Sequence, residues 1–363
     1  MKADTRQQAF QPVGGSAEQA GRPTRLVLYS SFQQGRVLPG YVRYALDGLV
    51  RTGFAVVLIT NQDDLDHDAR SFLAARGITL FATENRGFDF GMWRRYLATL
   101  PETERGALKR LVLVNDSVVY FRDVFPVFFE RAEGKDADMV SLSSNADFGF
   151  HLQSFFLYMK PRAIAAFLEH LFSTDDQGVY WDAVMNMEVG LSREMLRKHL
   201  VLEPLFRFDT PFDFSYEKLI LMQAGFVKRK LLEKRYTFGQ TLYFLRNNRR
   251  ALDLDYRALI LGHGGMDVNF RPEWLATRPP AGFREKLRWR FWRLLFWGWT
   301  LISDATLIAA AVAIGVLVAR QTCHICGAFA GVVGAALLFR GRRLCRKWVA
   351  QRSVRPVGNA PAQ

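Results

Sequence analysis

The sequence predicts an α/β protein on a mixed, mostly parallel sheet, and three observations predict it. Between residues 26 and 275, short apolar runs rich in Val, Leu and Phe alternate with amphipathic stretches, the rhythm of strand–helix units. One of those runs ends in Asn115-Asp116-Ser117, at the carboxyl end of a strand, where an open sheet collects its ligands. The 363 residues are 49% hydrophobic and 23% charged, which excludes a mostly disordered or collagen-like chain, and three cysteines exclude a disulfide scaffold.

Residues 1–23, rich in Gln, Gly, Ala and Pro, lack the apolar stretch of a secretory signal and read as a flexible tail. Residues 24–278 form the α/β domain, with strands expected at 26–29, 55–60, 78–82, 111–115, 139–142 and 155–159. Helices fit 41–51, 65–76, 90–100, 161–171 and 192–199.

From residue 279 the composition changes. The net charge is +14, but residues 280–363 hold 13 Lys and Arg against Glu285 and Asp304, so most of the excess lies in this stretch. Residues 279–300 interleave Arg and Lys with Trp and Phe, which suits a helix lying in the headgroup region of a membrane. Residues 301–340 hold two apolar runs broken at Arg320-Gln321, expected to form a two-helix membrane hairpin; the alternative is a buried hairpin of soluble helices, favoured by Asp304, which suits a membrane only near a helix end. Residues 341–363 form a basic tail. Basic flanks at both ends put the large domain on the cytoplasmic side of the inner membrane. Cations committed to a lipid surface argue against nucleic acid as a partner.

Four segments carry chemistry. Residues 83–93, with Asn85, Gly87, Asp89 and Gly91, follow a strand and open a helix; glycines permit close backbone approach to a ligand, and Asp89 is equally suited to cap the helix. Asn115-Asp116-Ser117 ends an apolar strand, where Asp116 could hold a hard divalent cation or form a polar turn. His151-Leu152-Gln153-Ser154 leads into another strand. Glu188 precedes a helix for which Ser192 is the candidate cap; it reads as a loop carboxylate or, if buried beside a sugar hydroxyl, as a general base.

Together, in this order, the segments resemble the rhamnan-synthesis F proteins, a branch of the glycosyltransferases of the GT-A type; the resemblance spans roughly residues 26–206. It implies a GT-A-like nucleotide-sugar-binding fold and transfer of a sugar, rhamnose by the family name, from a nucleotide diphosphate donor to a lipid-linked surface polysaccharide or lipopolysaccharide acceptor. Donor contacts are then expected from Tyr29, Ser30, Ser31, Asn85, Gly87, Asp89, Asn115, Asp116 and Ser117. His151 and Gln153 fall on the acceptor side, Glu188 is the expected base of an inverting reaction, and Asp116 would hold Mg²⁺ or Mn²⁺. Asn115-Asp116-Ser117 departs from the family type's Asp-x-Asp by one carboxylate, which leaves open a non-catalytic assembly protein that keeps the fold.

Other conspicuous residues promise less. Cys323-His324-Ile325-Cys326 lacks the second ligand pair that zinc needs. Leu261-Gly262-His263-Gly264-Gly265 fits a turn or an anion-binding loop, and the Phe-rich residues 206–214 suit core or lid packing.

Overall fold

Strand β1 (Arg25–Ser31) lies inside a seven-stranded sheet, next to its middle strand, with β2 (Ala55–Thr60) and then β3 (Thr79–Ala82) parallel to it on one side. On the other side β4 (Arg110–Asn115) is also parallel, followed by antiparallel β9 (Phe156–Met159), then β6 (Met139–Ser141) and β10 (Leu202–Pro204). The computed structural model describes residues 23–146, 148–207, 220, 222–229, 232, 256–263 and 265–275. The chain divides into two compact units, and all described residues belong to the first, Met1–Arg235 with Asp255–Thr277. The expected interfacial helix, hairpin and basic tail, and the Cys323–Cys326 pair with them, lie outside the described residues. Among the described residues no helix is long and apolar enough to cross a membrane.

The central strands read as near-continuous apolar runs because both faces are covered, as in parallel sheets. Helices α1 (Gly40–Val50), α2 (His67–Ala75) and α3 (Phe88–Thr99) follow β1, β2 and β3. After the short α4 (Glu102–Gly106) and β4 comes β5 (Val118–Tyr120), which leads to α5 (Phe125–Glu133). A small hairpin pairs β7 (Ser144–Asn145) with β8 (His151–Leu152). α6 (Pro161–Ser173) then leads to α7 (Tyr180–Asp182), which continues through a π-helix (Ala183–Val189) into α8 (Gly190–Arg197). β11 (Phe226–Lys228) returns to pair antiparallel with β5. One core cluster runs from Leu28 and Leu113 in the sheet through Trp93 and Phe167 to Met195, so α3, α6 and α8 cover the same face.

The expected strands and helices all form, each within about two residues of its expected ends. Three local expectations fail. Asp89 is not the cap of α3: Gly87 is, at φ +78, and Asp89 lies inside the first turn. Ser192 is not a cap either; it sits within α8, where its hydroxyl accepts the Leu152 N–H at 3.0 Å. Leu261–His263 ends a helix (Tyr256–His263) rather than forming a loop, with Gly265 at φ +54 beyond it. Phe206 packs edge-on against Phe128 in the core, while residues 208–214 lie outside the described residues.

Candidate active site

The strand order turns back at β1 and β4, since β2 and β3 extend one way and β4 opens the other, and the carboxyl ends of these two strands therefore flank a crevice. Register places Ser30 opposite Asn115 there. The Asp116 N–H donates to the Ser30 carbonyl at 3.1 Å, which ties the two strand ends together.

Side chains then close a network. The Ser30 hydroxyl donates to Asp89 Oδ1 at 2.7 Å and Asn115 Nδ2 donates to Asp89 Oδ2 at 2.8 Å. Asn115 Oδ1 in turn accepts from the Ser117 N–H at 3.2 Å and the Ser117 hydroxyl at 2.5 Å. Ser31 donates to Asp116 Oδ2 at 2.9 Å and accepts from Gln33 Nε2. Asp89, 26 residues ahead of Asn115, reaches the crevice because the turn before α3 is tight. A Cβ on Gly91 would stand 1.9 Å from the Arg86 carbonyl oxygen, and one on Gly87 would stand 2.9 Å from Asp176 Oδ1. Asp176 is itself held by Arg94 at 3.1 Å and Arg95 at 2.6 Å, so the turn is clamped from below.

Arg229 completes the cluster, and nothing in its own segment announces it. Its N–H donates to the Ser117 carbonyl at 2.8 Å at the end of β11, which aims the side chain back over β4. Nη1 then donates to Asp116 Oδ2 at 2.9 Å and to the Tyr41 hydroxyl at 2.7 Å. The guanidinium remains about a quarter exposed beside a nearly buried carboxylate.

Burial, first of all, pushes the Asp89 carboxyl up from 3.8 to about 6; Asp116 nearby adds to the rise, while the Ser30 and Asn115 hydrogen bonds and Arg229 oppose it. Burial also holds the Tyr29 phenol well above its ordinary value, with the Asp116 charge adding to the effect. Tyr29, expected to touch the nucleotide, is sealed in the core, and its hydroxyl has no hydrogen-bond partner among the described residues. Asn85 is exposed on the β3–α3 connection, and among the described residues no hydrogen bond ties it to the cluster.

Glu188 lies in the π-helix and not in a loop, with its side chain mostly buried. π-Helical turns recur at functional sites. Both the Ser154 N–H, at 2.7 Å, and the Ser154 hydroxyl, at 2.5 Å, donate to Glu188 Oε2. The next residue, Phe155, gives its carbonyl to the Asn115 N–H at 3.4 Å, so a single peptide unit links the anchor of Glu188 to the strand end that carries Asn115. His151 and Gln153, expected on the acceptor side, are both buried. His151 is buried, with Nδ1 2.9 Å from the Gly149 carbonyl and Nε2 3.7 Å from Glu188 Oε1. Gln153 is buried and spends its side-chain oxygen on the Ser143 hydroxyl at 2.6 Å. Both brace the wall behind Glu188.

The donor set does not suit the expected divalent cation. Asp116 Oδ2 already accepts a hydroxyl and a guanidinium, and both oxygens of Asp89 are hydrogen-bonded. A separate cavity of about 680 Å³ opens between α1 and residues 269–274, but none of the cluster residues lines it. Two of its arginines are already paired, Arg43 with Asp68 and Arg51 with Asp123.

No family model and no curated protein matches this chain. Among solved structures it is similar, at 10% identity and a TM-score of 0.33, to a cytidylyltransferase from Leptospira borgpetersenii, over 71% of this chain and 99% of that one. It is similar to a 4-diphosphocytidyl-2C-methyl-D-erythritol synthase at 12% identity and a TM-score of 0.33, over 51% and 89%. The glycosyltransferase GlyE of Streptococcus pneumoniae follows at 13% identity and a TM-score of 0.37, over 77% and 64%. At such TM-scores these likenesses decide nothing about activity.

Proposed function

We propose that this chain is a glycosyltransferase that binds a nucleotide diphosphate sugar across the carboxyl ends of β1 and β4 and passes the sugar to a lipid-linked glycan. One observation carries the reading: Ser30, Ser31, Asp89, Asn115 and Asp116 meet at the point where the strand order reverses, with Arg229 reaching in over them. A guanidinium reaching over strand ends is the kind of group that pairs with diphosphate oxygens. Arg229, rather than a metal, then supplies the positive charge against which the diphosphate departs, and Asp116 with Tyr41 aims it.

On the acceptor side, Glu188 takes the proton of the attacking hydroxyl. Ser154 fixes Oε2 with two hydrogen bonds and so leaves Oε1 for that work. Attack from the face opposite the diphosphate inverts the anomeric centre. The basic, Trp-rich sequence at 279–300 supports placing the acceptor at a membrane surface, and the resemblance to rhamnan-synthesis F proteins supports a sugar such as rhamnose. The test is transfer from labelled nucleotide sugars into lipid-extractable product. Asp116→Ala and Glu188→Ala should each lower transfer by 100-fold or more with folding intact; near-normal transfer in both would refute the assignment.

A further inference from the structure

Three large aromatic side chains on the surface, linked by ring contacts to the first residue of α3, have no role in the reading above. Phe148, Tyr180 and Trp181 are 43%, 54% and 52% exposed. They form one chain of edge-on contacts with Phe88: Phe88 to Tyr180 at 5.9 Å, Tyr180 to Trp181 at 5.8 Å, and Trp181 to Phe148 at 6.1 Å. Exposed rings in contact with one another mark a place where something apolar docks.

The ends of the chain are informative. Phe88 opens α3 directly before Asp89, in the left-handed region at φ 56, where a phenylalanine is an unusual occupant. Trp181 belongs to α7, which runs without interruption into the π-helix that carries Glu188. Phe148 precedes Gly149, whose carbonyl holds the His151 ring behind Glu188. The aromatic stripe therefore starts beside the donor-side turn and continues onto the helical segment that leads to the base.

We propose that this stripe is the saccharide-binding platform for the acceptor, with Trp181 as its principal stacking face. The inference rests on the glycosyltransferase reading and adds to it that the acceptor is recognised through sugar rings. Aromatic faces carry partial negative charge, and the C–H groups on one face of a pyranose meet them favourably. Hydroxyls at the ring edge then need planar polar partners, which the same segment provides: Asn186 Nδ2 donates to Gln177 Oε1 at 2.8 Å, next to the exposed carboxylate of Asp182. Asp176 in this segment is paired with Arg94 and Arg95, and Arg193 donates to the Phe148 carbonyl at 2.8 Å, so charge around the stripe is balanced and the rings themselves are what a ligand meets.

The experiment is calorimetric titration of the full chain with trisaccharides of rhamnose, glucose and galactose, and separately with UDP, GDP and dTDP. At least one trisaccharide should bind saturably, tenfold or more weakly in Trp181→Ala and within about threefold of wild type in Trp181→Phe, which keeps a ring. Nucleoside diphosphate affinity should be the same in all three proteins. No trisaccharide binding, or equal binding in Trp181→Ala, overturns the platform, and undisturbed nucleotide binding then leaves the glycosyltransferase reading standing. Trisaccharide binding that depends on Trp181 in a chain that binds none of the nucleotides supports the platform and refutes that reading.

Discussion

Asp89 is a carboxyl group whose ionisation opposes folding, and its size can be worked out. Its value rises from 3.8 to about 6 on folding because protein surrounds the carboxylate, and the Ser30 and Asn115 hydrogen bonds offset only part of that. At ~1.4 kcal/mol per pH unit this amounts to ~3 kcal/mol. The folded state holds the proton more tightly than the unfolded chain, so below pH 4 both states are protonated and nothing is lost. As pH climbs from about 4 to 6 stability falls, and above about 6 the whole penalty is present. Asp89→Asn cannot ionise. The difference in unfolding free energy, variant minus wild type, should therefore grow by ~3 kcal/mol between pH 3 and pH 7, measured by urea denaturation at half-unit steps. A changed hydrogen bond to Asn115 shifts that difference by a constant and leaves its slope alone. A flat difference across the range would refute the claim that burial governs Asp89.

Other changes follow from the same contacts. Gly91→Ala forces a Cβ to within 1.9 Å of the Arg86 carbonyl oxygen, a backbone atom that cannot swing aside, and should cost ~3 kcal/mol in denaturant midpoints. Tyr29→Phe removes a buried hydroxyl without a partner among the described residues and should stabilise the chain by ~1 kcal/mol, seen as a raised Tm. Ser154→Ala removes one of the two hydrogen bonds on Glu188 Oε2; kcat for transfer should drop by about tenfold with the donor KM unchanged, because Glu188 works on the acceptor.

Much of the architecture was legible in the sequence for a simple physical reason: strands buried on both faces, such as β1, β2 and β4, are short apolar runs, and amphipathic helices follow them. α5 was missed because its sequence, Phe125-Pro126-Val127-Phe128-Phe129, shows aromatic bulk more clearly than helical period. The short strands β5, β10 and β11 were missed because three residues carry no period at all. At the site, Asn115 and Asp116 could be read because they end a strand, whereas Ser30 and Ser31 came only from the resemblance. Asp89 is on the donor side as the resemblance implies, and only its alternative reading as the helix cap fails, because the left-handed residue that starts α3 is Gly87 and Asp89 falls within the first turn. Arg229 was invisible, because 113 residues separate it from Asp116 and only the β11–β5 pairing brings them together. Ser154 stood inside a segment already singled out, and a hydroxyl two residues before a strand was the signal available for it.

The central claim is that the fork between β1 and β4 binds a nucleoside diphosphate and that Arg229 supplies the counter-charge. Isothermal calorimetry with UDP, GDP and dTDP in excess EDTA tests it most directly, comparing wild type with Arg229→Met. Saturable binding of one nucleotide in EDTA, weakened tenfold or more by Arg229→Met, is the predicted result. Absence of binding in wild type, or binding that EDTA abolishes and Arg229→Met leaves unchanged, would contradict it.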